Sequence, residues 1–144
     1  MKNSPRENSI GAQMAIALQL MKRRNHQAIA NAGLKITMEQ LALLEVLSSH
    51  GDMNMTELSH TVWKQNANVT RIVDKLESQQ LLERKPLEGD RRAYLLCITE
   101  KGEQLYKKLI PIVAEVYDDA VSCITKEEEA ITISILKKMI KYLS

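Results

Sequence analysis

The chain has 144 residues, 44% of them hydrophobic and 26% charged, a size and balance that suit one globular domain with room for a dimerisation extension. No apolar run is long enough to cross a bilayer, the opening MKNSPRENSIGAQ has no apolar signal core, and the two cysteines, Cys97 and Cys123, are too few for a disulfide scaffold, so the expectation is a cytoplasmic protein with no membrane role. The formal net charge of +2 hides an uneven spread, +5 over residues 1–35, −4 over 36–63, +2 over 64–101 and −1 over 102–144; a nucleic-acid face needs cations gathered on one surface, not a basic chain.

A first helix is expected from about Ser9 to Ala32. Ile10, Met14, Leu18 and Met21 recur at helical spacing, and Gly33 follows as a stop. Thr37 with Gln40 three residues on matches a capping box and opens a second helix, which carries Leu41, Leu44 and Leu47 and ends near Gly51. Thr56 is placed to cap a third helix with Leu58 and Val62 in the core. Gln65 or Asn66 begins a fourth, which stops near Gln80. Its stripe of Val69, Ile72, Val73 and Leu76 follows the i, i+3, i+4, i+7 pattern of one buried face. Two strands follow, about Leu82–Pro86 and Ala93–Ile98, joined by a turn containing Gly89. Thr99 can cap a fifth helix striped with Leu105, Leu109, Ile112, Val113, Val116 and Ala120. Pro111 falls inside it and predicts a bend near Lys107–Pro111 without a break, because the stripe stays in register beyond it. Thr125 with Glu128 forms another capping box before a last helix with Ile131, Ile135, Met139 and Ile140. Both cysteines have apolar neighbours and are expected to act as small buried hydrophobes.

Residues 56–102 therefore read as a short helix, a tight turn, a second helix and a hairpin. The fourth helix is anchored by its stripe and turns a polar face outward with Lys64, Arg71, Asp74 and Lys75. The major groove of double-stranded DNA is the expected receptor for such a helix-turn-helix. Base contacts are expected from Gln65, Asn66, Asn68, Thr70 and Arg71, with Ala67 able to meet a thymine methyl; each good bidentate pair discriminates by roughly 1–3 kcal/mol. One asparagine is assigned to helix capping and one to DNA. For Arg71 the competing role is an ion pair with Asp74. Lys64, Lys75, Thr56, Asn54, Arg84 and Lys85 are candidates for phosphate, which fixes register without reading sequence. Trp63 is expected to anchor the turn between the helices and His60 to lie on the surface. At the hairpin tip, Gly89-Asp90-Arg91-Arg92, two adjacent arginines cannot both point into a core, and they are expected to reach the minor groove or the backbone. Asp90 would repel phosphate, so its expected role is to orient an arginine by a charge-assisted hydrogen bond.

The run Asp90-x-Arg92-x-x-x-Leu96-x-Ile98-Thr99 resembles the signature of the MarR family of winged-helix regulators. Val69-Thr70-Arg71 followed by Asp74-Lys75-Leu76 is similar to that family's recognition helix, and the order of elements matches across nearly the whole chain. The resemblance implies a mainly α fold with a small β-wing. A winged helix-turn-helix lobe over residues 35–100 would be flanked by dimerisation helices over 1–34 and 101–144. It makes Arg92 the signature arginine. It implies a two-fold homodimer with interleaved terminal helices, binding a pseudo-palindromic operator whose half-sites lie about one helical turn apart. The long apolar terminal helices fit this, since their stripes need a cover, whether their own domain or a second chain.

Regulators of this type are most often repressors, released from DNA by a small aromatic or anionic effector bound between the dimer helices and the DNA lobe. Met14, Leu18, Met38, Ile112 and Val116 form a candidate apolar lining for that pocket, or are simply core. Arg23, Arg24 and His26 could meet an anion, or form a solvated basic face. Gln80 and Ile98 depart from the family's glycine and leucine. No cysteine lies in the first helix, where peroxide-sensing relatives keep theirs. The rival reading is a winged-helix module for protein–protein contact, which would not need paired arginines at the wing tip. No cofactor, catalytic set, metal-ligand cluster or phosphate loop is discernible, and His26, His50 and His60 have no chelating spacing, so an enzyme is not expected.

Overall fold

A computed structural model describes residues 7–62 and 66–144, with side chains described at all of these except Asn66 and Ala67. Its elements are α1 (Ile10–Asn31), α2 (Met38–His50), α3 (Met55–Thr61), α4 (Asn66–Ser78), β1 (Leu82–Leu87), β2 (Asp90–Ile98), α5 (Glu100–Val121) and α6 (Lys126–Leu143). This is the expected mainly α chain with a small two-stranded wing.

Side-chain caps set the helix starts. Ser9, Thr37, Asn54, Thr99 and Thr125 all lie in extended backbone, and each accepts a hydrogen bond from the N–H three residues on. Such a bond satisfies one of the free donors at a helix start. Thr37 with Gln40, Asn54 with Glu57 and Thr125 with Glu128 are full capping boxes, the glutamine or glutamate accepting in return from the cap's own N–H. Thr56 is therefore not the cap of α3. Asn54 holds that position because Glu57 can reciprocate, whereas Ser59 follows Thr56 three residues on and cannot.

Two helices end in left-handed caps. At α1 the Gly33 N–H reaches the Ala30 carbonyl and the Leu34 N–H reaches Ile29, with Gly33 at φ +74°. At α4 the same pair of bonds runs from Gln80 to Glu77 and from Leu81 to Leu76, each 2.9 Å, with Gln80 at φ +60°.

The core forms around α2, whose Leu41, Leu43, Leu44 and Leu47 are all buried. Against it lie Ile29 of α1, Leu58 of α3, Leu82 and Leu96 of the wing, and Leu109 and Val113 of α5. The α4 stripe is as expected: Val69, Ile72, Val73 and Leu76 are buried. Val62 is half-buried at the end of α3.

The wing is antiparallel, with Leu82 opposite Ile98, Arg84 opposite Leu96 and Pro86 opposite Tyr94; the register shifts between Pro86 and Leu87. Strand β2 begins at Asp90, three residues before the expected Ala93. Its base is tied to the lobe by Met53, whose N–H and carbonyl both bond Leu96, at 3.3 and 2.8 Å.

The start of α5 clasps the end of α4. Thr99 N–H donates to the Leu81 carbonyl at 3.1 Å, its hydroxyl to Gln80 at 2.7 Å, and Lys101 Nζ to Gln79 at 2.9 Å. Gly102 sits so close that a Cβ there would run into the Leu81 carbonyl oxygen. Helix α5 then continues unbroken through Pro111.

Cys97 is buried as expected, but Cys123 is exposed. It lies in the turn between α5 and α6, where Ser122, Ile124 and Thr125 are exposed as well. The outer halves of the terminal helices are equally bare. Ile10, Met14 and Leu18 are exposed on α1, and no residue of α6 is buried, with Ile131 at 59% exposure.

Candidate nucleic-acid interface

The buried stripe of α4 fixes what its other side can present. Asn68, Thr70, Arg71 and Lys75 are exposed, and they alternate with the buried positions around the helix. An open groove of about 760 Å3 runs beside them, lined by Asn68, Arg71, Asp74 and Lys75 of α4 and by Thr37, Glu39 and Gln40 of α2. Buried Gln40 donates to Gln79 at 2.9 Å and so ties the start of α2 to the end of α4. Asn66 is the first residue of α4 and Ala67 the second. Trp63, Lys64 and Gln65 lie outside the described residues.

Arg71 makes no ion pair among the described residues, because Asp74 is engaged elsewhere. The partner of Asp74 is Arg84 on β1, a residue that the sequence offered for phosphate. Arg84 reaches Asp74 with Nη2 at 2.7 Å and Glu77 with Nη1 at 2.6 Å. Its guanidinium carbon lies 5.4 Å from the centre of the Tyr94 ring, within cation–π range. Burial alone would lower its pKa, but hydrogen bonds to Asp74, Tyr94 and Glu77 outweigh that and raise it. Strand alternation could have found this role. Arg84 is two residues from buried Leu82 and opposite buried Leu96, so it shares the inner face of the wing. Lys85 points the other way, is exposed, and lies 3.5 Å from Glu83.

At the wing tip Arg91 and Arg92 are both exposed and make no ion pair among the described residues. The sequence reading has Asp90 orient an arginine by a charge-assisted hydrogen bond; the bond it makes is to the backbone of Arg92 and not to a guanidinium. Its Oδ1 accepts the backbone N–H of Arg92 at 2.9 Å. A short acidic side chain closing such a turn two residues on shapes the backbone from which both arginines project. Asn54 likewise uses its carboxamide oxygen on the α3 cap, accepting the Glu57 N–H at 2.9 Å. Thr56 is exposed on α3.

Of the residues offered as an effector pocket, those on α1 and α5 differ in exposure and Met38 lines a separate small cavity. Met14 and Leu18 are exposed on α1, while Ile112 and Val116 are half-buried on α5. Met38 lines a cavity of about 190 Å3 with Lys22, His26, Ile29, Ile36, Thr37 and Glu39. A larger one of about 550 Å3, between α1 and Ala120 of α5, takes Arg23 and Arg24 with Ala17, Leu20, Met21 and Gln27. Arg24 is held across it by Asp119 at 2.7 Å. Among the described residues no cluster of His, Cys, Asp or Glu is placed to hold a metal ion, and no helix is long and apolar enough to cross a membrane.

The MarR family profile matches residues 36–94 of this chain. The HTH-type transcriptional regulator MhqR of Bacillus subtilis is 33% identical over 100 residues, 69% of each chain. The chain belongs to the MarR family. The transcriptional repressor MprA of Escherichia coli is 31% identical over 98 residues, 68% of this chain and 55% of that protein. The repressor NicR of Pseudomonas putida is 27% identical over 106 residues, covering 74% of this chain and 67% of that one.

Solved MarR-family structures share the fold. A mutant E. coli MarR complexed with operator DNA superimposes with a TM-score of 0.85 at 21% identity, over 95% of this chain and 99% of that one. Bordetella bronchiseptica BpsR, whose DNA binding is regulated by 6-hydroxynicotinic acid, gives 0.84 at 21% identity, over 92% and 94%. In MarR terms α3 and α4 are the helix-turn-helix and β1–β2 the wing.

Proposed function

We propose that this MarR-family chain is a sequence-specific transcriptional regulator that binds a pseudo-palindromic operator as a homodimer and acts in the cytoplasm as a repressor. The observation that carries it is the pairing of two sets of exposed cations, Arg71 and Lys75 on α4 with Arg91 and Arg92 on the wing, while Arg84 engages both acids between them, Asp74 and Glu77, and offsets one of their two charges. A face arranged this way offers phosphate a net positive surface and leaves Asn68 and Arg71 for base edges. Exposed wing-tip arginines with no ionic partner among the described residues favour DNA over a protein–protein module.

Repression is supported by the relatives MprA and NicR, both named transcriptional repressors. A small aromatic acid as effector is supported by the regulation of BpsR. Such an effector acts only if it prefers a dimer whose recognition helices are wrongly spaced. On this reading α1, α5 and α6 are dimerisation elements and residues 35–100 are the DNA lobe.

Operator selection from a random duplex pool with purified protein, followed by a salt titration, tests it. The expected result is enrichment of an inverted repeat and a steep fall in affinity with salt, the slope set by the phosphates neutralised. No duplex binding in dilute buffer would overturn it.

A further inference from the structure

We propose that Arg84 is a positioning residue that locks the wing onto the recognition helix and so sets where the wing-tip arginines meet DNA. The inference rests on the reading that α4 and the wing both contact the operator.

A two-stranded ribbon is marginal by itself and is held only where it packs. The base of this wing is held by buried Leu82 and Leu96 and by the Met53–Leu96 bridge. Beyond it the support stops. Pro86 and Leu87 are exposed and the register shifts between them. Arg84 is the last inner-face side chain before that point, with Tyr94 beside it on the same face. From there its guanidinium spans to Asp74 and Glu77, one turn apart on the last turns of α4. A planar fork bonded to two carboxylates and stacked on a ring fixes both distance and angle, which a point charge does not. The consequence is a rigid relation between α4 and the hairpin that carries Arg91 and Arg92.

Exposed ion pairs contribute little to stability, and Arg84, Asp74 and Glu77 are partly solvated, at 26%, 60% and 42% side-chain exposure. The clamp is thus a device for geometry. Its loss should leave the fold's stability nearly unchanged and be felt in DNA binding.

The test compares operator affinity, thermal midpoint and hydroxyl-radical footprints for Arg84→Lys, Arg84→Met and the double variant Asp74→Asn/Glu77→Gln, with Arg92→Ala as reference. The clamp predicts that all three weaken binding by about tenfold. It also predicts loss of protection at the flanks covered by the wing while protection under α4 stays, with little change in midpoint. A phosphate contact predicts otherwise. Lysine would then keep the affinity, and removing two carboxylates from a DNA face would tighten binding. Either outcome overturns the proposal. A uniform loss of protection along with a lowered midpoint would also overturn it, as a merely structural role. If Arg92→Ala weakens binding while the Arg84 and carboxylate variants do not, the clamp alone is wrong. If Arg92→Ala has no effect, the underlying assignment of the wing to DNA fails, and the clamp with it.

Discussion

Arg92 carries two kinds of information, a side chain with no ionic partner among the described residues and a backbone N–H held by Asp90. The first makes it available to DNA and the second fixes where it starts. Replacing it with alanine removes the contact and keeps the turn. Operator affinity should fall by about 1–3 kcal/mol, with the circular dichroism spectrum unchanged. Unaltered affinity at moderate salt would remove the wing from recognition. The arginines of this chain show how far composition can be read. Arg71, Arg91 and Arg92 were legible as outward cations because they fall opposite a stripe or at a hairpin tip. For Arg84 alternation gives the inner face of the wing but not its partners, which lie 7 and 10 residues away and are brought to it only by the fold. The two cysteines divide similarly. Burial, then the nearby Asp52, pushes the Cys97 thiol up to about 11. A thiol raised in the fold adds stability below its ordinary value, and that contribution is lost as pH rises through about 11. At pH 8 the native Cys123→Ser protein should therefore resist iodoacetamide and label only on unfolding. Rapid native labelling would contradict the burial of Cys97.

Helix starts were the most legible elements, because a cap needs only a few residues and one favourable backbone conformation. Thr37, Thr99 and Thr125 are all used as read, and Ser9, read only as the start of the first helix, is its cap. The one error, Thr56 for Asn54, came from overlooking which threonine or asparagine had an acidic partner three residues on. The start of β2 was less legible. Asp90, Arg91 and Arg92 have no apolar alternation, since the outer ribbon buries neither face, and pattern is the signal by which a strand is recognised. The junction between α4 and α5 was the least legible. A glycine early in a helix gives no hint that a carbonyl of another segment lies against it. Gly102→Ala should destabilise the lobe by about 1–3 kcal/mol, the usual range for overpacking, seen as a lower denaturant midpoint at unchanged slope. Gln80→Gly should do the reverse. The left-handed cap at φ +60° strains a residue with a Cβ, and relieving it should raise stability by about 1 kcal/mol. An unchanged midpoint would mean that glycine's greater freedom in the unfolded chain cancels the relief of strain.

For the whole molecule the decisive feature is apolar surface without a cover. Leu18 is 56% and Ile131 59% exposed in the single chain, on helices whose stripes are otherwise regular. Fully covering a side chain of this kind is worth about 1.5–3 kcal/mol. In a two-fold interface each substitution acts twice. The double variant Leu18→Glu/Ile131→Glu should thus sediment as a monomer at concentrations where the parent is a dimer, while its DNA lobe stays folded. Operator binding should weaken far more than any single contact explains, because a lone lobe engages one half-site. The same symmetry constrains the DNA. With the recognition helices held apart by rigid helices, the two half-sites must face one side of the duplex. Inserting about five base pairs, half of a turn near 10.5, rotates one site to the opposite face. Affinity should then drop to that of an isolated half-site, and the monomeric variant should be indifferent to the insertion. If the parent also ignores the spacing, the lobes are not coupled, and the exposed faces of α1 and α6 serve some other contact.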